Sequence, residues 1–268
     1  MIRRFLNLPL AIGEELSLKD DDYNYIARVL RSREGDPIVL FNGKGGEYHG
    51  TITEIAKRYL TVKIKKYNPV NRSSSVKIHL LQSLAKGEKM DFILQKSTEL
   101  GVSEITPLTT ERSVIHLKAD QVDKRIERWR HIITAACEQC GLNIPPKLNP
   151  PVSLDGWLAN IHPSEHNLVL TLAPTALSSL GQFLHDVVAE DPEFFSEDHE
   201  KSDRTLTIII GPEGGLSERE IELLDRHGAK NVTLGERILR TETAALAVIA
   251  SIHSSIGDWS VDRLRSPF

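Results

Sequence analysis

Two short stretches in the last quarter of the chain combine residue types that could hold a small ligand and act on it. They are Gly211-Pro212-Glu213-Gly214-Gly215 and Leu234-Gly235-Glu236-Arg237-Ile238-Leu239-Arg240-Thr241-Glu242-Thr243-Ala244. Glycines let a ligand approach the backbone closely, carboxylates can take a proton, and guanidiniums can steady a developing negative charge. Neither stretch has the Lys and Ser/Thr that would hold phosphates and magnesium, so a nucleoside triphosphate is not the expected ligand. Two backbone-rich loops suit a neutral or zwitterionic cofactor with an adenine ring; two plain structural turns are the alternative.

The elements that must position these loops are legible beside them. Leu206 to Ile210 is apolar but for Thr207 and reads as a buried strand, while Ser217 and Glu220 have the spacing of a capping box that starts a helix. The second stretch repeats the plan of short strand, tight loop and helix. In open α/β sheets ligands bind at the carboxyl ends of strands, so the two loops are expected to form one site. The helix that follows, Glu242 to Ile256, is apolar nearly all round through Ala244, Ala245, Leu246, Ala247, Val248, Ile249 and Ala250. Such a helix is buried on most sides, either in a core or against a second subunit.

Composition narrows the class. The chain has 268 residues, 40% hydrophobic and 26% charged, as expected of a soluble globular protein with one large domain or two modest ones. The start, Met1-Ile2-Arg3-Arg4-Phe5-Leu6, has no apolar core behind it to suggest a signal peptide, and no run is long enough for a membrane span. Two cysteines argue against a disulfide framework and fit a reducing cytoplasm. The formal net charge is -4, but between Asp186 and Asp203 eight acids stand against one lysine, whereas residues 1–72 carry thirteen Lys/Arg against nine Asp/Glu. That basic N-terminal part is compatible with phosphate contacts and equally with solvated surface charge.

Along the chain, residues 2–6 read as a strand, Asp22 to Arg33 as a helix with Ile26, Val29 and Leu30 on its apolar side, and Pro37 to Phe41, Glu47 to Ile55 and Leu60 to Tyr67 as three further strands. Asn42-Gly43-Lys44-Gly45-Gly46 lies between two strands and is read as a hairpin turn rather than a phosphate loop. Asn68 to Ser75 is a linker, so domains are expected at 1–72, a small β barrel or meander, and at 73–268, where strands and helices alternate as in an α/β domain. In that second part Val76 to Leu84, Val102 to Pro107 and His166 to Ala173 read as strands, and Glu88 to Leu100, Val122 to Gln139 and Leu177 to Val188 as helices. The acidic stretch around Phe194-Phe195 reads as a long exposed loop.

Other motifs carry less. Cys137-Glu138-Gln139-Cys140 has redox or half-zinc spacing, but there is no second pair and it sits at the wrong end of a helix for a reactive thiolate, so no metal is expected. His162 and His166 are separated by Pro163 and lack the glutamate of a zincin helix. There is no G-x-S-x-G, no P-loop and no dinucleotide fingerprint, which weakens hydrolase, kinase and dehydrogenase readings. Lys86-Gly87-Glu88-Lys89-Met90, with Lys96 nearby, either offers cations to an anionic polymer or is a solvated helix face.

With these residues in view, the chain resembles the 16S rRNA uridine-N3 methyltransferases of the SPOUT superfamily of knotted S-adenosylmethionine enzymes. The resemblance rests on the two glycine stretches with Leu216-Ser217, and on Gly87-Glu88-Lys89-Met90, Gln95 to Gly101, Thr106-Pro107-Leu108, Glu111-Arg112, Ala136 to Gly141 and Arg28-Val29-Leu30-Arg31. It spans nearly the whole chain in order. It implies an α/β fold in which a C-terminal trefoil-knotted methyltransferase domain follows a small PUA-like RNA-binding β-barrel, with S-adenosyl-L-methionine as cofactor, the small ribosomal subunit or its 16S rRNA as partner, and a homodimer. Carried over by position, the cofactor pocket comprises Gly211, Pro212, Glu213, Gly214, Leu234, Gly235, Ile238, Leu239, Arg240 and Ala244, with Leu172 and Ala173 as a third wall. Candidate RNA contacts are Arg3, Arg4, Arg28, Arg31, Lys86, Lys89 and Arg112. Relatives often carry Arg where Leu142 stands and near Ile144, the segment after the Leu168 to Leu172 strand departs at Ala173-Pro174-Thr175, and the acidic loop reads as an insertion.

The implied chemistry is to make uridine N3 nucleophilic by removing its imide proton. Arg240 is the candidate to stabilise the resulting anion, and Glu213 or Glu242 to accept the proton. The target base must also be unstacked. A ribose 2′-O methyltransferase of the same superfamily, acting on rRNA or tRNA, and a non-catalytic ribosome-assembly RNA-binding protein are the rivals.

Overall fold

The computed structural model describes residues 1–115, 117–160, 167–173, 176–190 and 205–260. His162, His166, Pro174, Thr175, Phe194, Phe195 and most of the acidic stretch lie outside the described residues. The chain forms two compact units, one of Met1–Ser73 with Thr134–Pro145, the other of Ser74–Ile133 with Pro146–Phe268. The segment 134–145, which the sequence reading places in the second part, thus packs with the first, for a visible reason. The Glu138 carboxylate accepts the Phe5 N–H at 3.0 Å, and Asn143 donates to the Val70 carbonyl at 2.7 Å.

In the first unit β1 (Ile2–Phe5), β2 (Glu15–Lys19), β3 (Pro37–Phe41), β4 (Glu47–Ile55) and β5 (Tyr59–Asn68) form one sheet in the order β1-β3-β4-β5-β2. β1 and β3 run parallel and the other neighbours antiparallel. Alternation decides which face is inside: Leu60, Val62 and Ile64 of β5 are buried against Ile38, Leu40 and Ile52. Register shifts after His49 and after Ile52 bend β4, as bulges do. At Gly50 a Cβ would lie 2.9 Å from the Lys63 carbonyl oxygen, so the strands can approach only because it is glycine. The 42–46 segment joins antiparallel strands, as a hairpin should.

The predicted Asp22 to Arg33 helix is different in kind. A short α1 (Asp20–Tyr23) passes into a π-helical turn over Asn24–Val29. The wider turn rotates the chain less per residue than an α-helix does, so residues at α-helical spacing no longer share a face: Tyr23 and Ile26 are buried while Val29 and Leu30 face solvent at 67% and 42% exposure. Arg31, in the left-handed region at φ 54°, follows the turn. β2 has no counterpart in the sequence reading, although Leu16 and Leu18 alternate inward as a strand requires.

In the second unit β6 (Ile78–Ser83), β7 (Glu104–Thr109), β8 (Lys147–Leu148), β9 (Val152–Ser153), β10 (Asn167–Leu172), β11 (Ser178–Ser179), β12 (Thr205–Ile210) and β13 (Lys230–Thr233) build a parallel sheet. Its order is β11-β13-β10-β12-β6-β7-β8, with β9 on β7. The central strands are buried on both faces, which explains why apolar residues dominate them, with Gln82, Thr171 and Thr207 as buried polar exceptions. On one face Leu81, Val169 and Ile209 meet Leu154 and Leu158 of α4 (Leu154–Asn160) and Leu224 of α6 (Glu218–Arg226). Elsewhere α7 (Thr241–Ser255) packs on α2 (Lys89–Glu99), on α5 (Leu180–Glu190), and on β6 and β12. Ala245, Val248, Ile249 and Ile252 of α7 are completely buried. These contacts put one side of the apolar helix in the core, while Leu246, Ala247 and Ala250 on it are only half-buried. α2 ends at Gly101, φ 84°, the left-handed residue that stops a helix. The long α3 (Ala119–Cys140) buries Ile126, Trp129 and Ile133, and its end from Thr134 onward belongs to the first unit.

Candidate functional site

Three neighbouring parallel strands, β13, β10 and β12, end on one side of the sheet, and the loops leaving them enclose a cavity of about 440 Å³. Its walls are Leu172 and Ala173 at the end of β10, Ile210 to Glu213 with Gly215 and Leu216 at the end of β12, and Val232 to Gly235 with Arg237 to Thr241 at the end of β13, with Ala244 of α7 and Lys89 of α2. Strand ends at such a position are where open α/β sheets bind ligands, and the volume is within the range of small-molecule pockets.

Local chemistry explains why the loops take this form. After β12, Gly215 donates to the Pro212 carbonyl at 2.9 Å and is left-handed at φ 69°, a tight turn. Ser217 then caps α6: its hydroxyl accepts the Glu220 N–H at 3.1 Å, and the Glu220 carboxylate accepts the Ser217 N–H at 2.8 Å. The same buried carboxylate accepts the Glu111 N–H at 2.8 Å, and Arg112 donates to the Gly214 carbonyl at 2.9 Å. The segment after β7 therefore holds the Gly211 loop from outside. Burial does not threaten Glu220, because both its oxygens are hydrogen-bonded. At Gly211 a Cβ would lie 3.1 Å from the Leu216 amide nitrogen and 3.2 Å from the Gly215 carbonyl carbon, both backbone.

The two glycine loops are tied to each other by Thr241. Its buried hydroxyl donates to the Gly211 carbonyl at 2.8 Å and accepts from Gln82 Nε2 at 3.0 Å. Gln82, at the end of β6, is wholly buried. The second loop turns at Gly235, φ 98°, whose N–H is held by the Thr233 hydroxyl at 3.1 Å.

Charge is unevenly arranged around the cavity. Lys89 Nζ donates to Glu213 Oε1 at 3.1 Å and lies 3.5 Å from Glu242 Oε2. The Glu213 hydrogen bond holds the Lys89 ammonium above its ordinary pKa. Burial pushes the Glu213 carboxyl up, but its own backbone N–H, Lys89 and the Lys86 backbone outweigh this and hold it below the carboxylate range. Glu213 is consequently ionised and a weaker base than a free carboxylate. Arg237 and Arg240, also wall residues, are exposed, and Arg240 supplies the residue before the first turn of α7.

Of the residues assigned to the pocket from the sequence, Leu172, Ala173, Gly211, Pro212, Glu213, Leu234, Gly235, Ile238, Leu239, Arg240 and Ala244 all line this one cavity. Gly214 does not; it points its carbonyl at Arg112 and Gly215 lines the wall instead. Lys89, Thr241 and Arg237 are cavity residues that the sequence reading did not place there. Lys89 stood out only as a cation at a helix start. Thr241 had one signal, a hydroxyl residue at the first position of a helix.

The remaining candidates divide by unit. In the first, Arg3 is paired with Glu47 at 2.6 Å and Arg4 with Asp22 at 2.6 Å and Glu138 at 3.3 Å, so both guanidiniums are engaged in internal ion pairs. Arg28 is exposed over the Tyr23 ring at 5.6 Å, and Arg31 is exposed. Leu142 is buried and its carbonyl accepts from Arg3, while Ile144 is partly exposed. Cys137 and Cys140 are not disulfide-bonded, and burial pushes the Cys137 thiol up to about 12, which makes it inert. In the second unit Lys86 is exposed. Among the described residues no cluster of His, Cys, Asp and Glu suits a metal ion, and no helix is long and apolar enough to cross a membrane.

Comparison with known proteins agrees with this geometry. Residues 72–253 match the RNA methyltransferase domain family, and residues 18–65 match the RNA methyltransferase PUA domain family. The ribosomal RNA small subunit methyltransferase E of Buchnera aphidicola from Schizaphis graminum is 33% identical over 96% of this chain and 98% of its own. The protein of the same name from Bacillus subtilis is 30% identical over 94% and 96%. Among solved structures, a Legionella pneumophila protein with bound cofactor SAM is 36% identical with a TM-score of 0.83, covering 96% of this chain and 98% of its own. The ribosomal RNA small subunit methyltransferase E of Neisseria gonorrhoeae, bound to S-adenosyl methionine, is 33% identical with a TM-score of 0.83, covering 97% and 100%.

Proposed function

The chain belongs to the RNA methyltransferase family, and on that premise we propose that it transfers a methyl group from S-adenosyl-L-methionine to N3 of a uridine in the 16S rRNA of the small ribosomal subunit. The observation that carries the reading is the cavity at the ends of β10, β12 and β13, whose backbone-rich walls include an ionised carboxylate and an exposed arginine. The residues fit the cofactor: Leu172, Ala173, Leu239 and Ala244 offer apolar surface to an adenine ring, and Gly211 keeps the loop open where a side chain would press on backbone. When bound, the sulfonium supplies an electrophilic methyl carbon, which takes the electron pair of N3 while the old bonding pair returns to sulfur.

The protein's own work is on the base. The N3 proton passes to a carboxylate at the cavity, with Glu213 the one on its wall. The charge left on the imide spreads over two carbonyl oxygens, and the Arg240 guanidinium is placed on the lip to meet it. The exposed cations Arg28, Arg31 and Lys86 serve the RNA backbone, residues 1–72 being the RNA-binding part and 73–268 the catalytic part, with 134–145 packed on the former.

The reading includes a trefoil-knotted chain, a homodimer and a cytoplasmic location. For the knot, the support is that β13 lies on the far side of β10 from β12, yet α7, which follows β13, returns to bond Gly211 through Thr241 and to pack on β12 and β6. For the dimer, the support is the small, half-buried Ala247 and Ala250 on the outer side of α7, and sedimentation of the full chain tests it. The absence of a disulfide between Cys137 and Cys140 is compatible with a reducing compartment. The function itself is tested by incubating naked 16S rRNA and 30S subunits with labelled donor and mapping the product nucleoside. N3-methyluridine is expected; label on a ribose 2′-oxygen, or none on either substrate, overturns the proposal.

A further inference from the structure

Lys89 was a candidate for holding RNA phosphate, yet its ammonium is already engaged by carboxylates. It sits between two carboxylates from different elements: Glu213 from the loop after β12, and Glu242 from the first turn of α7. Glu213 lines the cavity and is 34% exposed; Glu242 stands behind it at 16%, with its Oε2 buried. Three separate elements, α2, the Gly211 loop and α7, therefore meet at one Nζ.

We infer that Lys89 is a positioning residue of the reaction: it pins the Glu213 carboxylate in place on the cavity wall, and takes its own position from Glu242. The inference rests on the reading of this cavity as the site of methyl transfer. Two observations favour it over a phosphate contact. An ammonium shared by two carboxylates within 3.5 Å has little net charge left to offer a phosphate, since the three groups together are net negative. In addition Lys89 is itself a wall residue of the cavity, whereas the exposed Lys86, three residues earlier, is not.

The mechanical consequence is specific. Without Lys89, the remaining contacts on the Glu213 carboxylate are the backbone N–H groups of Glu213 and Lys86, which are attached to loop termini and hold it less firmly. The charged groups acting on Lys89 are Glu213 and Glu242; those acting on Glu213 are Lys89 and the two backbone donors. Removing the ammonium therefore moves the Glu213 titration upward, toward the ordinary carboxylate range, and loosens the carboxylate that must meet the N3 proton. An arginine keeps the charge and reaches both carboxylates.

The test uses the full chain with 13C-labelled glutamate carboxyls and three proteins: wild type, Lys89→Met and Lys89→Arg. Titration of the cofactor-free protein should show the Glu213 carboxyl moving up in Lys89→Met and remaining low in Lys89→Arg. Single-turnover methylation at saturating RNA should fall about tenfold in Lys89→Met, the misplaced carboxylate outweighing its raised basicity, and by far less in Lys89→Arg. RNA affinity, read by filter binding, should be unchanged in both. An unmoved Glu213 titration in Lys89→Met, or a loss of RNA affinity as large as the loss of rate, overturns the inference. If the wild-type chain methylates no RNA, the functional reading falls, and the carboxyl titration still decides whether Lys89 holds Glu213.

Discussion

Replacing Thr241 by Val tests whether the two glycine loops act as one site. The change conserves shape and removes only the hydroxyl, which is buried and makes two hydrogen bonds, to the Gly211 carbonyl at 2.8 Å and from Gln82 at 3.0 Å. Gln82 Nε2 keeps a second acceptor, the Ser83 carbonyl at 2.9 Å, so most of the loss falls on Gly211. One lost bond of about 1 kcal/mol together with an under-satisfied carbonyl gives a cost of roughly 2 kcal/mol. Because the bond joins the Gly211 loop to the start of α7, the cost is paid mainly as disorder between the cavity walls rather than as global unfolding. Expressed in affinity for S-adenosylmethionine, 2 kcal/mol is about thirtyfold. Calorimetry of the cofactor with wild type, Thr241→Val and Thr241→Ser measures it. Thr241→Ser retains the hydroxyl and should bind within a few-fold of wild type. Equal binding by Thr241→Val and wild type, or equal weakening in both variants, would show that the loops are not coupled through this hydroxyl.

Three further outcomes follow from named contacts. Gly211→Ala places a methyl group 3.1 to 3.2 Å from backbone atoms of Leu216 and Gly215, so the loop must shift and cofactor affinity should fall, with thermal stability changed far less; an unchanged dissociation constant by calorimetry contradicts this. Arg240→Ala should reduce the single-turnover rate by about a hundredfold, the scale of one lost oxyanion donor, with cofactor affinity nearly intact; parallel losses of rate and affinity would assign Arg240 to binding alone. Glu47 is held down to about 2, from an ordinary 4.5, chiefly by its hydrogen bond from Arg72 and then by Arg3, against the effect of burial. A depressed carboxylate stabilises the fold fully above its unfolded value and loses that contribution as pH falls toward the folded one, here from about 4.5 down to about 2. Allowing for the partial exposure of Arg72, Glu47→Gln should cost roughly 2 kcal/mol in urea unfolding at pH 7, and the gap from wild type should narrow by pH 3; a constant gap contradicts the linkage.

The site was more legible in the sequence than the elements around it, and the reason lies in what each depends on. The Gly211 loop follows an apolar run and precedes a capping box, so strand, turn and helix start are each marked by local chemistry, and Ser217 with Glu220 makes the reciprocal bonds that the spacing announced. β5 was equally plain because Leu60, Val62 and Ile64 alternate with polar residues. The helix of the first unit was misread because three apolar residues at α-helical spacing cannot disclose a π turn, and it is the wider turn that puts Val29 and Leu30 outside. The short β8, β9 and β11, of two residues each, exist only through their partners β7 and β13, and no window of sequence that small contains the partner.

Charge was the hardest feature to read forward. Arg3, Arg4, Arg28 and Arg31 are equal as letters, and all counted toward a basic surface. What separates them is long-range: Arg3 finds Glu47 on β4, and Arg4 finds Glu138 at the far end of α3, well over a hundred residues along the chain. Arg28 and Arg31 stay exposed, Arg28 on the π turn and Arg31 just after it. Lys89 shows the same effect at the cavity, since its two carboxylates come from the loop after β12 and from α7. A basic residue becomes a surface cation only if the fold brings it no carboxylate, so net charge per segment overstates what is available to RNA. The corollary runs the other way for Arg237 and Arg240: the loop after β13 brings both to the cavity wall with their side chains exposed, two cations available to a substrate that carries negative charge.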